Sequence, residues 1–119
     1  GILIKRWQSD WPLQVDATVQ YIKATNQCRF TKSYYKKNCN YWPRVTGNDL
    51  KTLDSPFNTY LYKGLPPHPI CNPSLKSIKA VINPTETDYW YYLTGRDGKM
   101  YYSETLEEHN LNIRRHIES

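Results

Sequence analysis

Tyr89-Trp90-Tyr91-Tyr92-Leu93-Thr94-Gly95-Arg96-Asp97-Gly98-Lys99-Met100-Tyr101-Tyr102-Ser103 decides the class of fold. Its two aromatic runs, Tyr89 to Leu93 and Lys99 to Ser103, suit the pleated and half-buried surface of a strand. Between them Asp97-Gly98 supplies a residue that takes positive φ without strain, so the stretch predicts an antiparallel hairpin. Two strands alone are marginal in water, and a third is therefore expected, either at Tyr60 to Tyr62 or from outside these residues.

Around the hairpin the chain reads as short helices. On its C-terminal side, Ser103 or Thr105 caps a helix running to about Ile117, with Thr105 and Glu108 at capping-box spacing. Leu106, Asn110, Ile113 and Ile117 form its stripe, while Glu104, Glu107 and Glu108 sit where the helix dipole favours them. On the N-terminal side, Asn72 is read as an N-cap and Pro73 as the first helical residue. Leu75, Ile78, Val81 and Ile82 then fall on one face, which should pack on a core, and Asn83-Pro84 ends the helix. The expected class is α+β: short helices packed with a small antiparallel aromatic sheet and a C-terminal helix, in a single domain over residues 1–119.

Ser55 to Cys71 cannot continue this pattern. Its prolines, Pro56, Pro66, Pro67 and Pro69, each remove a backbone donor and fix φ, which predicts a rigid, exposed loop carrying polar and aromatic groups. Upstream, Ile2 to Trp7 reads as the end of a helix cut from a longer protein, broken by Ser9-Asp10-Trp11-Pro12. Asp16 is a candidate N-cap for a helix to about Ala24. Thr25 to Arg44 lacks periodicity and reads as an irregular surface excursion or a loose hairpin with its lysines in solvent. Thr46 or Asn48 then caps a single-turn helix through Leu53.

Composition narrows the function classes. A net charge of +5 suits an anionic partner or an ordinary solvated surface, and does not choose between them. Eleven tyrosines and four tryptophans exceed what a core of this size needs, so some should line a groove for sugars, bases or peptides. Cys28, Cys39 and Cys71 contain no paired metal spacing, and no metal is expected. Cys28 and Cys39 either close a disulfide or remain buried thiols. Five glycines leave no phosphate-cradling loop, and neither a serine elbow nor a zinc-binding histidine pair is present. The carboxylates read as caps and turn residues, without a convincing general acid among them.

Leu13-Gln14-Val15-Asp16-Ala17-Thr18-Val19, Ser55-Pro56-Phe57-Asn58-Thr59-Tyr60, Gly64-Leu65-Pro66-Pro67-His68-Pro69-Ile70, Asn72-Pro73-Ser74 and Thr105-Leu106-Glu107-Glu108-His109-Asn110 resemble, in order and spacing, the motifs of the YceG-like endolytic murein transglycosylases. The likeness spans nearly the whole chain and leaves residues 25–44 as a variable surface insertion. It departs at Val15 and Ala17, where the family pattern has Thr and Pro, at Phe57, where it has Tyr, and at His68, where it has Gly. The resemblance implies the C-terminal part of a lytic catalytic domain that cuts peptidoglycan strands internally on the extracytoplasmic, periplasmic side of the inner membrane. It implies a catalytic glutamate upstream of this chain, so no catalytic residue is expected within it and the fragment alone should be inactive. Gln14, Asp16, Asn58, Thr59 and Tyr60 match the pattern and are the expected substrate-binding residues, or else a brace between the loop and the Asp16 helix. The implied partner is the glycan strand of peptidoglycan, with cell-wall synthesis proteins reached through the parent protein and membrane contact only through an anchor outside the chain. A non-catalytic glycan-binding module is the alternative, and nucleic acid is not expected. No cofactor is expected either: the older family label, aminodeoxychorismate lyase, would require a pyridoxal phosphate lysine, and none is recognisable here.

Overall fold

The computed structural model describes residues 1–29 and 39–118, the side chain of Arg29 excepted. The core of the segment expected to form a surface excursion thus lies outside the described residues. Those that are described form an α+β structure of five α-helices and one two-stranded antiparallel sheet. They divide into two compact units, Gly1–Arg6 with Ser74–Ser119, and Trp7–Pro73.

The first unit is built on the hairpin. Strands β1 (Tyr91–Thr94) and β2 (Met100–Ser103) pair antiparallel, with Tyr91 opposite Ser103 and Thr94 opposite Met100. Gly98 takes φ 76°, and Asp97 accepts from the Lys99 amide at 3.0 Å. Gly95 allows a close approach, since a Cβ there would stand 2.8 Å from the Tyr101 ring. The Tyr101 hydroxyl donates to Asp97 at 2.6 Å and holds its carboxyl below the usual range. Tyr60–Tyr62 forms turns rather than the expected third strand, and the sheet is covered instead by α5 (Leu106–Ile113), which begins in a full capping box between Thr105 and Glu108. A π-turn, Arg114–Glu118, extends that helix.

Helix α5 and the turn after it keep Ile113 and Ile117 of the expected stripe half-buried, and they also pack through two residues the stripe does not name. His109 stacks on Tyr91 at 5.2 Å and His116 on Tyr101 at 3.5 Å between ring centroids, while Leu106 is exposed. Imidazole rings are flat and match the tyrosine faces, which the aliphatic Leu106 cannot do from its position at the helix start. Burial, followed by the charge of Arg6, pulls the His109 pKa below its ordinary value. The N-terminal turn of α1 (Ile2–Gln8) joins this unit through its cations. Lys5 donates to Thr87 O at 2.9 Å and lies over the Trp90 ring at 4.0 Å.

Helix α4 (Leu75–Ile82) begins two residues later than expected. Ser74 is its N-cap, the hydroxyl accepting from the Ser77 amide at 3.2 Å, and Pro73 lies outside the helix. A serine side chain one residue beyond the proline wins because it reaches the third amide directly. Its apolar face does not pack on a core among the described residues, for Leu75 is 66% and Ile82 77% exposed.

The second unit is organised by α2 (Asp16–Arg29), which runs five residues past the expected end. Cys28, in its last turn, forms a disulfide with Cys39, the Cα atoms 5.4 Å apart. Buried Leu13, Val19 and Ala24 form the apolar centre here. Polar side chains of α2 then grip the following segment: Gln20 donates to Pro43 O at 3.0 Å, and Lys23 donates to Arg44 O at 2.7 Å. Lys23 also pairs with Asp49 at 2.8 Å, in the capping box that starts α3 (Gly47–Thr52) from Thr46.

Asp49 yields a pH prediction. Lys23 first, then the Thr46 amide and hydroxyl, hold its carboxyl down to about 2 from 3.8. The folded state therefore prefers the ionised form, and the stabilisation is complete above 3.8 and lost as pH falls towards about 2. A carboxyl carbon NMR titration should place the Asp49 midpoint near 2, and Lys23→Met should move it up towards 3.8.

Candidate functional site

The site lies within the second unit, where the entry to α2 meets the proline-rich loop. Ser55 to Tyr62 winds into turns around Asn58, whose amide donates to Ser55 O at 2.8 Å and whose carbonyl accepts from the Leu61 and Tyr62 amides at 3.1 and 3.0 Å. The Asn58 side chain fills the centre of that turn and is 0% exposed. Its Nδ2 donates to Leu50 O at 3.1 Å and Leu53 O at 2.9 Å, and its Oδ1 accepts from the Tyr60 amide at 2.9 Å. Burial without these bonds would carry a heavy desolvation cost, so the side chain and the turn require one another.

Thr59 is the second anchor, 1% exposed. Its Oγ1 accepts from the Val15 amide at 2.9 Å and lies 2.9 Å from Thr18 Oγ1. Thr18 Oγ1 also donates to Val15 O at 2.8 Å, and the one Thr59 hydroxyl proton has both Thr18 Oγ1 and, at 3.4 Å, Val15 O within reach. The Gln14 amide donates to Thr59 O at 3.2 Å. Together these bonds tie the loop to the start of α2.

Of the five residues expected to contact substrate, Asn58 and Thr59 thus face inward as braces, and Gln14, Asp16 and Tyr60 remain on the outer side. Asp16 is the first residue of α2 rather than its N-cap, and its carboxylate accepts from the Tyr60 hydroxyl. Gln14 is exposed and holds the left-handed conformation at φ 51°, which a side chain with a Cβ seldom adopts. Two further polar groups continue the loop, Tyr62 donating to Asp54 at 2.5 Å and Lys63 pairing with Asp10 at 3.3 Å. The Asp54 bond raises the Tyr62 pKa. The loop expected to be exposed is hydrogen-bonded and buried at its base, around Asn58 and Thr59, and exposed on its outer side.

Thr18 is the residue that sequence reasoning missed, and its signal is faint: a threonine two positions into a helix, able to bond back to the carbonyl three residues before. Among the described residues no group of three or more His, Cys, Asp or Glu is placed to hold a metal ion. The outer side offers a carboxylate, a phenol and a carboxamide. Those groups can hydrogen-bond the hydroxyl and amide groups of a ligand.

This α+β arrangement, with a polar loop locked to a helix start, has relatives. The model of the YceG-like family matches residues 1–115, and the chain belongs to that family. It is 34% identical over 119 residues to the endolytic murein transglycosylase of Bacillus subtilis, and 40% identical over 120 residues to the endolytic murein transglycosylase of Streptococcus pneumoniae. The matches take in 100% of this chain but only 29% and 20% of those relatives. A crystal structure of a YceG-like protein from Listeria monocytogenes superposes with a TM-score of 0.71 at 40% identity, over 92% of this chain and 31% of that one.

Proposed function

We propose that this chain is the C-terminal part of the catalytic domain of a peptidoglycan lytic transglycosylase and forms the wall on which the glycan strand rests. Gln14, Asp16 and Tyr60 are the groups that meet sugar hydroxyl and acetamido groups, and Asn58 and Thr59 hold them in place. The observation that carries this reading is the contrast between a buried, hydrogen-bonded base and an outer side with a carboxylate, a phenol and a glutamine on a left-handed backbone. Such preorganisation is costly to build and is what oriented binding of a polar substrate requires. The acid that protonates the glycosidic oxygen lies upstream of Gly1.

The disulfide between Cys28 and Cys39 supports action in an oxidising compartment outside the cytoplasm, and the place of action we propose there is the outer face of the cytoplasmic membrane. Among the described residues no helix is long and apolar enough to cross a membrane. On purified peptidoglycan the chain alone should release no anhydro-muropeptides, whereas the protein extended upstream of Gly1 should release them. Cleavage by the chain alone would overturn the assignment of the acid, and binding without cleavage by the extended protein would favour a glycan-binding module.

Gln14 supplies a sharper test. Gln14→Gly relieves the left-handed strain and should raise the unfolding free energy by about 1 kcal/mol, measured in urea. The same substitution should slow cleavage by the extended protein, because the carboxamide is lost. A variant that is more stable and equally active would remove Gln14 from the wall.

A further inference from the structure

Beside the wall, Phe57, His68 and Tyr21 form an aromatic cluster that the groups above leave unused. The His68 ring meets Phe57 edge-on, with centroids 4.8 Å apart and 71° between planes, and meets Tyr21 at 6.2 Å and 87°. Tyr21 and Phe57 are themselves 5.3 Å apart. All three residues belong to the second unit, and Phe57 directly precedes the buried Asn58. Two of the rings, Phe57 and His68, stand at positions where the chain departs from the family motif it otherwise resembles.

The orientation of His68 is set by its own backbone. Nδ1 lies 2.8 Å from Pro69 O, and a carbonyl can only accept, so Nδ1 carries the proton. In the neutral ring Nε2 is then an acceptor, and it makes no hydrogen bond among the described residues. His68 is exposed, whereas Phe57 and Tyr21 are half-buried. Pro66, Pro67 and Pro69 restrict the backbone on both sides, so little conformational freedom remains to be lost on binding.

We propose that His68 and the rings of Phe57 and Tyr21 form a subsite for the N-acetyl group of an amino sugar. Nε2 accepts the acetamido N–H, and the acetamido methyl and the C–H face of the pyranose lie against the rings. An acetamido group presents one donor next to one methyl, which matches one acceptor next to an apolar ring surface. A plain glucose polymer has no such pairing, so the subsite distinguishes N-acetylated sugars from unmodified ones. The inference rests on the proposed function for its ligand class.

The test titrates the chain with chitotetraose, an N-acetylglucosamine tetramer, and separately with cellotetraose, while recording imidazole nitrogen and aromatic proton resonances. Chitotetraose should shift His68 Nε2 and the Phe57 and Tyr21 rings together and saturably, and cellotetraose should not. His68→Ala should weaken chitotetraose binding about tenfold, the loss of one hydrogen bond and one ring contact. His68→Gln, whose amide can still accept, should recover part of that loss. Unmoved rings, an equal response to cellotetraose, or unchanged affinity in His68→Ala would each overturn the subsite. Amide spectra of the variants report whether the fold is kept, which it should be at an exposed position. If Tyr60→Phe impairs cleavage while His68 stays silent to sugar, the subsite alone fails; if His68 responds and Tyr60→Phe leaves cleavage unchanged, the wall alone fails.

Discussion

Replacing Asn58 with alanine should lower the unfolding free energy by about 4 kcal/mol, a large share of the stability of a marginally stable chain. The substitution removes three hydrogen bonds at once. It strands the Leu50 and Leu53 carbonyls and the Tyr60 amide around a position that is 0% exposed. Each buried group left without a partner carries roughly 1–3 kcal/mol of desolvation, only part of which entering water recovers. Asn58→Asp should do little better, because a carboxylate cannot donate to the two carbonyls. Urea unfolding followed by tryptophan fluorescence measures both. A loss below about 1 kcal/mol would mean that the turn does not depend on its side-chain centre.

Arg6→Ala should cost a similar amount, about 4 kcal/mol, for a different reason. Arg6 is 4% exposed, and its Nε and Nη2 donate to the Trp90 carbonyl at 2.8 and 2.6 Å. Its guanidinium also lies over the Tyr91 ring, 5.3 Å from the centroid. Removing it takes two donors from the Trp90 carbonyl, empties volume beside the strand and takes the guanidinium from the face of the Tyr91 ring. Lysine is a poor substitute, since one ammonium cannot form the fork and the flat ring contact together, and Arg6→Lys should recover less than half of the loss. Thermal unfolding monitored by near-ultraviolet circular dichroism, where the tyrosines report, is the suitable measurement.

Local signals in the sequence account for much of the fold. Capping boxes at Thr46 with Asp49 and at Thr105 with Glu108, the stop at Asn83-Pro84 and the Asp97-Gly98 reversal all depend on residues within four positions of one another. What escaped is non-local. Arg6 looks like a solvated cation at a helix end, and its carbonyl partner lies 84 residues away. Asn58 sits in a stretch rich in polar and proline residues and looks exposed, because nothing in the sequence says that Leu50 and Leu53 present their carbonyls to it. The stripe of α4 announces an apolar face without saying what covers it, and a lone His109 reads as a packed or capping residue without naming Tyr91 as the ring it meets. For the candidate site, the likeness to a family points at the start of α2 and the loop after Ser55, whereas composition points only at a rigid loop. Neither separated the braces, Asn58 and Thr59, from the outward Gln14, Asp16 and Tyr60, since that division follows from burial.

The most direct measurement is the rate at which the protein, extended upstream of Gly1, releases anhydro-muropeptides from purified peptidoglycan, with and without Tyr60→Phe. The hydroxyl that donates to Asp16 is the only group removed, and the ring stays in place. Release slowed by about tenfold, with an unchanged melting temperature, is the predicted result. Full activity in an equally stable variant would contradict the assignment of this loop and helix start as the wall of the glycan cleft.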